Sequence, residues 1–430
     1  MNNLAMELNS ILDNTVTGRL LSRLGRRLYF PNGIIAQSAE AKISAHAANA
    51  TIGMAFKDGK PLALSAVMEN MNGFKPDEVV LYAPTAGIEQ VRNIWKASII
   101  EKNTSLENGN ISLPAVVPGI TAGISYTADL FLDEGQTIMV SDPCWDNYNL
   151  IFSERRGAEL LSTPFFNSGP GLNMAAIGQA VRNMAKSGVV RMILNFPNNP
   201  SGYTPTKAEA EGLISLIREI AEDGADVLVI CDDAYFGLYY ENDIYRESLF
   251  GRLAGLHKRI LAVKIDGPTK EEYVWGLRTA FLTFGSHGMD GCHHAALTKK
   301  LMGAIRSSVS CSNTSSQYLI MKTLADKRTE QEKTKYRELL EERYQAIKRF
   351  VRDMPNHPIL TPLPFNSGYF MSFQCKGVNA ELLRRELLSK HGIGTIALGE
   401  QFLRIAYSGV DLEKIPLMYR IIYKTAESLL

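Results

Sequence analysis

Short apolar runs punctuate the middle of this 430-residue chain: Leu113–Val117, Thr137–Ser141, Val189–Leu194, Val227–Cys231, Ile260–Ile265 and Thr279–Phe284. They are nearly continuous rather than alternating, which predicts strands covered on both faces. The stretch Thr206–Ile220 changes period. Its Leu213, Leu216, Ile217 and Ile220 fall on one helical face, and Thr206 with Glu209 has the spacing of a capping box. Strands alternating with helices predict an α/β fold with a mostly parallel sheet. Ligands on such sheets sit at the C-terminal ends of the strands.

Beyond about residue 310 the texture changes. Lys327–Met354 is highly charged, yet Tyr336, Leu339, Leu340, Ile347, Val351 and Met354 keep a helical stripe. That pattern predicts a long amphipathic helix with a solvated face. Strands at Gly368–Phe373 and Phe402–Ala406, with helices at Asn379–His391 and Leu412–Leu429, complete a smaller α+β unit. The expected division is a large domain over 51–310 and a small C-terminal domain over 311–430. The N-terminal segment, 1–50, is expected to join the small domain.

Composition narrows the function classes. Apolar residues make up 45% and charged residues 21%, with a formal net charge of +1. No whole-protein attraction to nucleic acid or to an anionic membrane is expected from that balance. No apolar run approaches the roughly 18–20 residues that span a bilayer. Met1–Asn14 lacks the sustained apolar block of a secretory signal. Five scattered cysteines suit free thiols in a reducing compartment, so a cytoplasmic location is expected.

Candidate chemistry gathers after the predicted strand ends. Asp266–Arg278 reads Asp-Gly-Pro-Thr-Lys-Glu-Glu-Tyr-Val-Trp-Gly-Leu-Arg. A lysine just past a strand, here Lys270, is placed to hold an aldehyde cofactor as a Schiff base, and Arg278 to bind that cofactor's phosphate. Burial and the nearby cation both lower a lysine pKa, as an amine nucleophile needs. Asp232, in Asp-Asp-Ala-Tyr, suits the ring nitrogen of pyridoxal 5'-phosphate, and Tyr235 its phenolic oxygen. The same aspartate pair also suits a turn or a helix cap. Asn199, in Asn-Phe-Pro-Asn-Asn-Pro-Ser-Gly, is a second partner for that oxygen. Gly123, Ile124 and Ser125 open a helical pattern and suit a phosphate. Trp145 is a stacking candidate or a core tryptophan. Arg404 interrupts an apolar run, as a carboxylate grip or one half of a structural ion pair. Adjacent Cys292, His293 and His294 point different ways on a helix, so no metal is expected there.

These residues resemble the class I/II aminotransferases of the aspartate aminotransferase superfamily, the fold-type I enzymes of pyridoxal phosphate. The likeness spans roughly residues 80–410. It rests on Asn-Asn-Pro-Ser-Gly at 198–202, Asp-Asp-Ala-Tyr at 232–235, and Lys270 with Gly276 and Arg278. It implies a large domain with a mostly parallel seven-stranded sheet between helices. It implies Lys270 as the cofactor lysine, Asp232 at the ring nitrogen, Tyr235 and Asn199 at the ring oxygen, Trp145 stacked on the ring, Arg278 at the phosphate and Arg404 at the substrate carboxylate. Tyr82 resembles the tyrosine that members lend to the neighbouring subunit's phosphate, which implies a homodimer with shared sites. The implied activity is amino transfer between an α-amino acid and a 2-oxo acid, with aspartate, glutamate or aromatic donors as candidates. A lyase, decarboxylase or cyclase on the same fold is the alternative, and a non-enzymatic ligand sensor is the remaining one. One departure stands out: Gly267 occupies a position where the family usually has serine.

Overall fold

In the computed structural model, which describes residues 1–31, 33–106, 110–167, 169–354 and 357–430, the central apolar runs become one seven-stranded sheet. Its strands are β1 (Ala115–Val117), β2 (Thr137–Asp142), β3 (Glu159–Pro164), β4 (Val189–Asn195), β5 (Asp226–Asp232), β6 (Ile260–Asp266) and β7 (Ala280–Gly285). The spatial order is β1-β7-β6-β5-β4-β2-β3. β7 runs antiparallel to β1 and β6, and the remaining neighbours are parallel. β5 and β6 lie inside the sheet and are buried along almost their whole length, which is why they read as unbroken apolar runs. β3 is absent from the predicted strands for the converse reason. It is the sheet edge, and Thr163 alone on it is buried.

Helices cover both faces. In α1 (Glu89–Lys102), Val91, Trp95 and Ile99 recur every fourth residue and are buried, with Trp95 stacked on Phe281 of β7 at 4.4 Å. In α2 (Ile120–Phe131), Gly123 lets the helix approach β6. A Cβ there would stand 2.8 Å from Ile265 Cγ2. α3 (Lys207–Glu222) starts with the expected reciprocal cap: the Glu209 N–H donates to Thr206 Oγ1 at 3.2 Å, and the Thr206 N–H donates to Glu209 at 2.8 Å.

The charged stripe forms α4 (Arg328–Asp353), which buries Leu340, Tyr344 and Ile347. A four-stranded antiparallel sheet follows, from β8 (Leu360–Pro362), β9 (Phe370–Cys375), β10 (Ile396–Leu398) and β11 (Phe402–Ala406), in the order β8-β9-β11-β10. The N-terminal segment divides. Ile34–Ser44 packs on this sheet, where the Gln37 amide bridges the N–H and carbonyl of Ala397. Ala48–Asn49 pairs in parallel with Ile393–Gly394. Arg27 instead reaches Glu134, just after α2, at 3.4 Å. Among the described residues no helix is long and apolar enough to cross a membrane.

The loop after β4 joins the two sheets. Gly202 sits at φ +77°, and its carbonyl accepts the N–H groups of Asn366 and Ser367, both at 2.9 Å. A Cβ on Gly202 would stand 2.0 Å from the Phe370 carbonyl oxygen. That contact is with backbone, and the left-handed conformation disfavours a side chain as well. Gly202→Ala is expected to lower stability by more than about 2 kcal/mol. A urea unfolding midpoint equal to wild type would show that the junction yields at no cost.

Candidate active site

A cavity of about 130 Å³ opens at the C-terminal ends of β4, β5 and β6. Trp145, Asn199, Asp232, Tyr235, Lys270 and Arg278 all line it. Strand register explains part of the convergence. Asn195 ends β4 opposite Asp232, the last residue of β5, and Asp232 lies opposite Ile265 on β6.

Alternation along the strands separates the two aspartates. Lys264 is in register with Cys231, so Lys264, Asp233 and Asp266 share one face of the sheet, and Asp232 points to the other. On the first face Lys264 is buried between Asp233 and Asp266. Ser248 donates to Asp233 at 2.6 Å and Trp95 to Asp266 at 2.9 Å. On the cavity face Asp232 is buried, with the Tyr148 hydroxyl donating to it at 2.6 Å and the Ala234 N–H at 3.2 Å. Burial pushes its carboxyl up to about 6, against the pull of Tyr148 and Lys270. Tyr148 escapes the sequence reading. Its one signal is the spacing, three residues past Trp145.

Lys270 lies four residues beyond β6, in the short turn Pro268–Glu271. It is half-buried, with Nζ 4.6 Å from the centre of the Tyr235 ring. Burial lowers its amine to about 8, Arg278 acting in the same direction and Asp232 in the opposite one. The departure at Gly267 has a steric cause. A Cβ there would meet Ala280 Cα at 2.9 Å and the Thr279 carbonyl at 3.0 Å, so β7 passes too close for serine. Thr269 lines the cavity two residues later.

Gly123, Ile124 and Ser125 do not border the cavity, which corrects the reading of the sequence there. α2 starts one turn earlier, at Ile120, with Gly119 before it at φ +96°. The Gly123 N–H is already spent on the Gly119 carbonyl at 3.2 Å, and Ile124 is in the core. Ile120 and Thr121 line the cavity instead, in the first turn, where N–H groups lack intrahelical acceptors. Arg278 lies against this turn. A Cβ on Gly119 would be 2.3 Å from its Nη2. Free amide donors, the Thr121 hydroxyl and a guanidinium make a cradle suited to a phosphate.

Arg404 stands behind Asn199. It is buried, its Nη1 donates to Asn199 Oδ1 at 3.1 Å and its Nη2 to the Thr51 carbonyl at 2.8 Å. It also lies over the Phe370 ring at 4.5 Å. Its Nε has no hydrogen-bond partner. Burial lowers its pKa to about 10, with the charge of Asp146 acting in the opposite direction without an ion-pair contact among the described residues. A buried guanidinium that makes no ion pair favours the carboxylate grip over the structural pair. Tyr82 is 93% exposed and lies outside this chain's own cavity. His293 caps its own helix start through Asp290 at 2.6 Å.

The family model for aminotransferase class I and II matches residues 55–421. A solved aminotransferase from Anaerococcus prevotii is similar in fold, with a TM-score of 0.82 at 24% identity, covering 93% of this chain and 98% of that one. The LL-diaminopimelate aminotransferase of Dehalococcoides mccartyi is 33% identical over 118 residues, 27% of each chain. The aspartate aminotransferase of Sulfurisphaera tokodaii is 23% identical over 162 residues, 37% of this chain and 38% of that one. The matched segments therefore span well under half the length of these curated relatives.

Asp232 yields a signed pH prediction for the cofactor-free protein. Its folded pKa, about 6, lies above the ordinary 3.8, so the folded state binds the extra proton. Stability from this group is fully present below about pH 4 and is lost as pH rises through 6, by about 3 kcal/mol. Asp232→Asn should remove that component from urea unfolding measured between pH 4 and 7. An unchanged difference between those pH values would show that Asp232 is not the group responsible.

Proposed function

The chain belongs to the class I and II aminotransferases, and from that premise we propose that it moves an amino group between an α-amino acid and a 2-oxo acid. The enzymes of this family work with pyridoxal 5'-phosphate. The residues fit that group: a phosphate cradle at Gly119–Thr121, a carboxylate at a dry strand end, and a lysine of lowered pKa share one cavity. Bound there, the cofactor supplies an aldehyde that condenses with amines and a ring that accepts the electron pair of a broken C–H bond.

The chain's own residues do the rest. Lys270 would hold the aldehyde and, once displaced by the amino acid, would take a proton from the substrate α-carbon and deliver it to the carbon that had carried the aldehyde. An amine near 8 is partly neutral at physiological pH, which that transfer needs. Asp232, steadied by Tyr148, would hold a proton at the ring nitrogen. Tyr235 and Asn199 would hydrogen-bond the ring oxygen, Trp145 would cover a ring face, and Arg278 with the start of α2 would hold the phosphate. Arg404 would bind the substrate α-carboxylate. The single observation that carries this reading is a cavity lined by a lysine of lowered pKa, Lys270, and by Asn199, which the buried Arg404 holds from behind without making an ion pair among the described residues.

The exposed run Val79–Tyr82, each residue between 49% and 93% accessible, supports a homodimer in which Tyr82 enters the neighbouring site. Small-molecule substrates and a cytoplasmic setting complete the proposal.

Two substitutions test it. Lys270→Ala should abolish turnover with an unchanged circular dichroism spectrum, and borohydride should fix the cofactor to Lys270 in the wild-type protein. Normal turnover, or fixation to another lysine, would sink the assignment. Arg404→Lys keeps a charge but loses two-pronged geometry, and should raise KM for α-carboxylate substrates, by a factor equivalent to about 2–5 kcal/mol of lost binding. An unaltered KM with a lower Tm would return Arg404 to a structural role.

A further inference from the structure

The two residues after Lys270 are acidic, and the mechanism above does not use them. Both are withdrawn from solvent, Glu272 almost completely. Glu271 accepts from Lys102, the last residue of α1, at 2.5 Å. Glu272 accepts from Lys333 of α4 at 2.8 Å, and the same Lys333 Nζ lies 3.6 Å from Glu271. Two carboxylates and two ammonium groups thus close on one another across three elements.

The turn they hold is short, and its own backbone closes it through the Glu272 N–H to the Pro268 carbonyl at 2.9 Å and the Val274 N–H to the Thr269 carbonyl at 3.1 Å. Pro268–Glu271 is four residues long, and Gly267 offers no capping side chain. Tyr273 follows at φ +55° and Arg278 at φ +50°, conformations that L side chains rarely adopt. The Tyr369 hydroxyl donates to the Lys270 carbonyl at 3.2 Å, and the Thr269 hydroxyl to the Thr279 carbonyl at 3.4 Å. Stability alone is a poor reason for such a cluster, since buried pairs are often no better than well-packed apolar residues.

We infer that Lys102, Glu271, Glu272 and Lys333 form a buried clamp that positions Lys270, tying the two residues that follow it to α1 on one side and α4 on the other. This rests on the reading of Lys270 as the cofactor's lysine. The groups facing Lys270 directly are Asp232, Tyr235, Arg278 and Tyr369. The clamp is faced in turn by Lys264, Glu330 and Tyr273. Burial and Glu271 push the Glu272 carboxyl up to about 7, while Lys102 and Lys333 hold Glu271 below its ordinary value. Glu271 is therefore the carboxylate whose removal reliably deletes a negative charge.

The test uses holoenzyme and reads kcat together with the pH midpoint of the bound cofactor's absorbance change. Lys333→Met and Glu271→Gln each free one side of the turn and so let the Lys270 amine shift against Asp232 and Arg278, the charges that act on it. Each should lower kcat about tenfold or more and move the midpoint, and Lys333→Arg should recover most of both. Should Lys333→Met not fold, Lys102→Met opens the same cluster from α1 and should act likewise. A role in stability alone predicts lower Tm for both single variants with unmoved midpoints and kcat, and that result overturns the proposal. Borohydride fixation of wild-type cofactor to a lysine other than Lys270 is a separate failure, of the underlying reading.

Discussion

Desolvation of a carboxylate at the end of β5 governs the architecture around it. Asp232 is taken out of water where three parallel strands finish together, and that raises the free energy of its charged form. The surroundings compensate with donors: the Tyr148 hydroxyl, the Ala234 N–H and the field of Lys270. Burial likewise drives the lowered pKa of Lys270. A dry strand end thus holds an acid and a base, each shifted towards neutrality, in one cavity.

The opposite face of the same strands meets that constraint differently. There Lys264 lies between Asp233 and Asp266, paired on the face turned away from the cavity. Two adjacent aspartates thus have separate fates because successive strand residues face opposite ways. One set of charges is closed off as scaffold, and the other is left incomplete towards a space that a ligand can fill.

Arg404 brings the second sheet into the site. It reaches from β11 to Asn199 in the loop after β4, and Gly202 in that loop accepts the backbone of 366–367. The site's geometry therefore depends on how the two sheets are joined as well as on the strand ends of one of them.

Much of this was legible in local sequence. Buried parallel strands read as continuous apolar runs, the cap at Thr206–Glu209 is a short-range signal, and the charged stripe of α4 keeps its period whatever it packs against. Lys270, Asp232, Tyr235, Asn199 and Arg278 stood out because their residue types recur at meaningful spacings near strand ends. Other features depended on partners distant in sequence. The edge strand β3 has little burial to imprint a pattern. The first turn of α2 was misread because Gly119 and Gly123 look alike until the helix start is seen. The hydroxyl of Tyr148 matters through Asp232, 84 residues away. Gly267 is explained by the backbone of β7, and the unpartnered Nε of Arg404 by the groups that the fold packs around it. Periodicity and turn chemistry act within a few residues and so are written along the chain. Desolvation, steric exclusion and charge pairing act through space, and only the folded chain decides them.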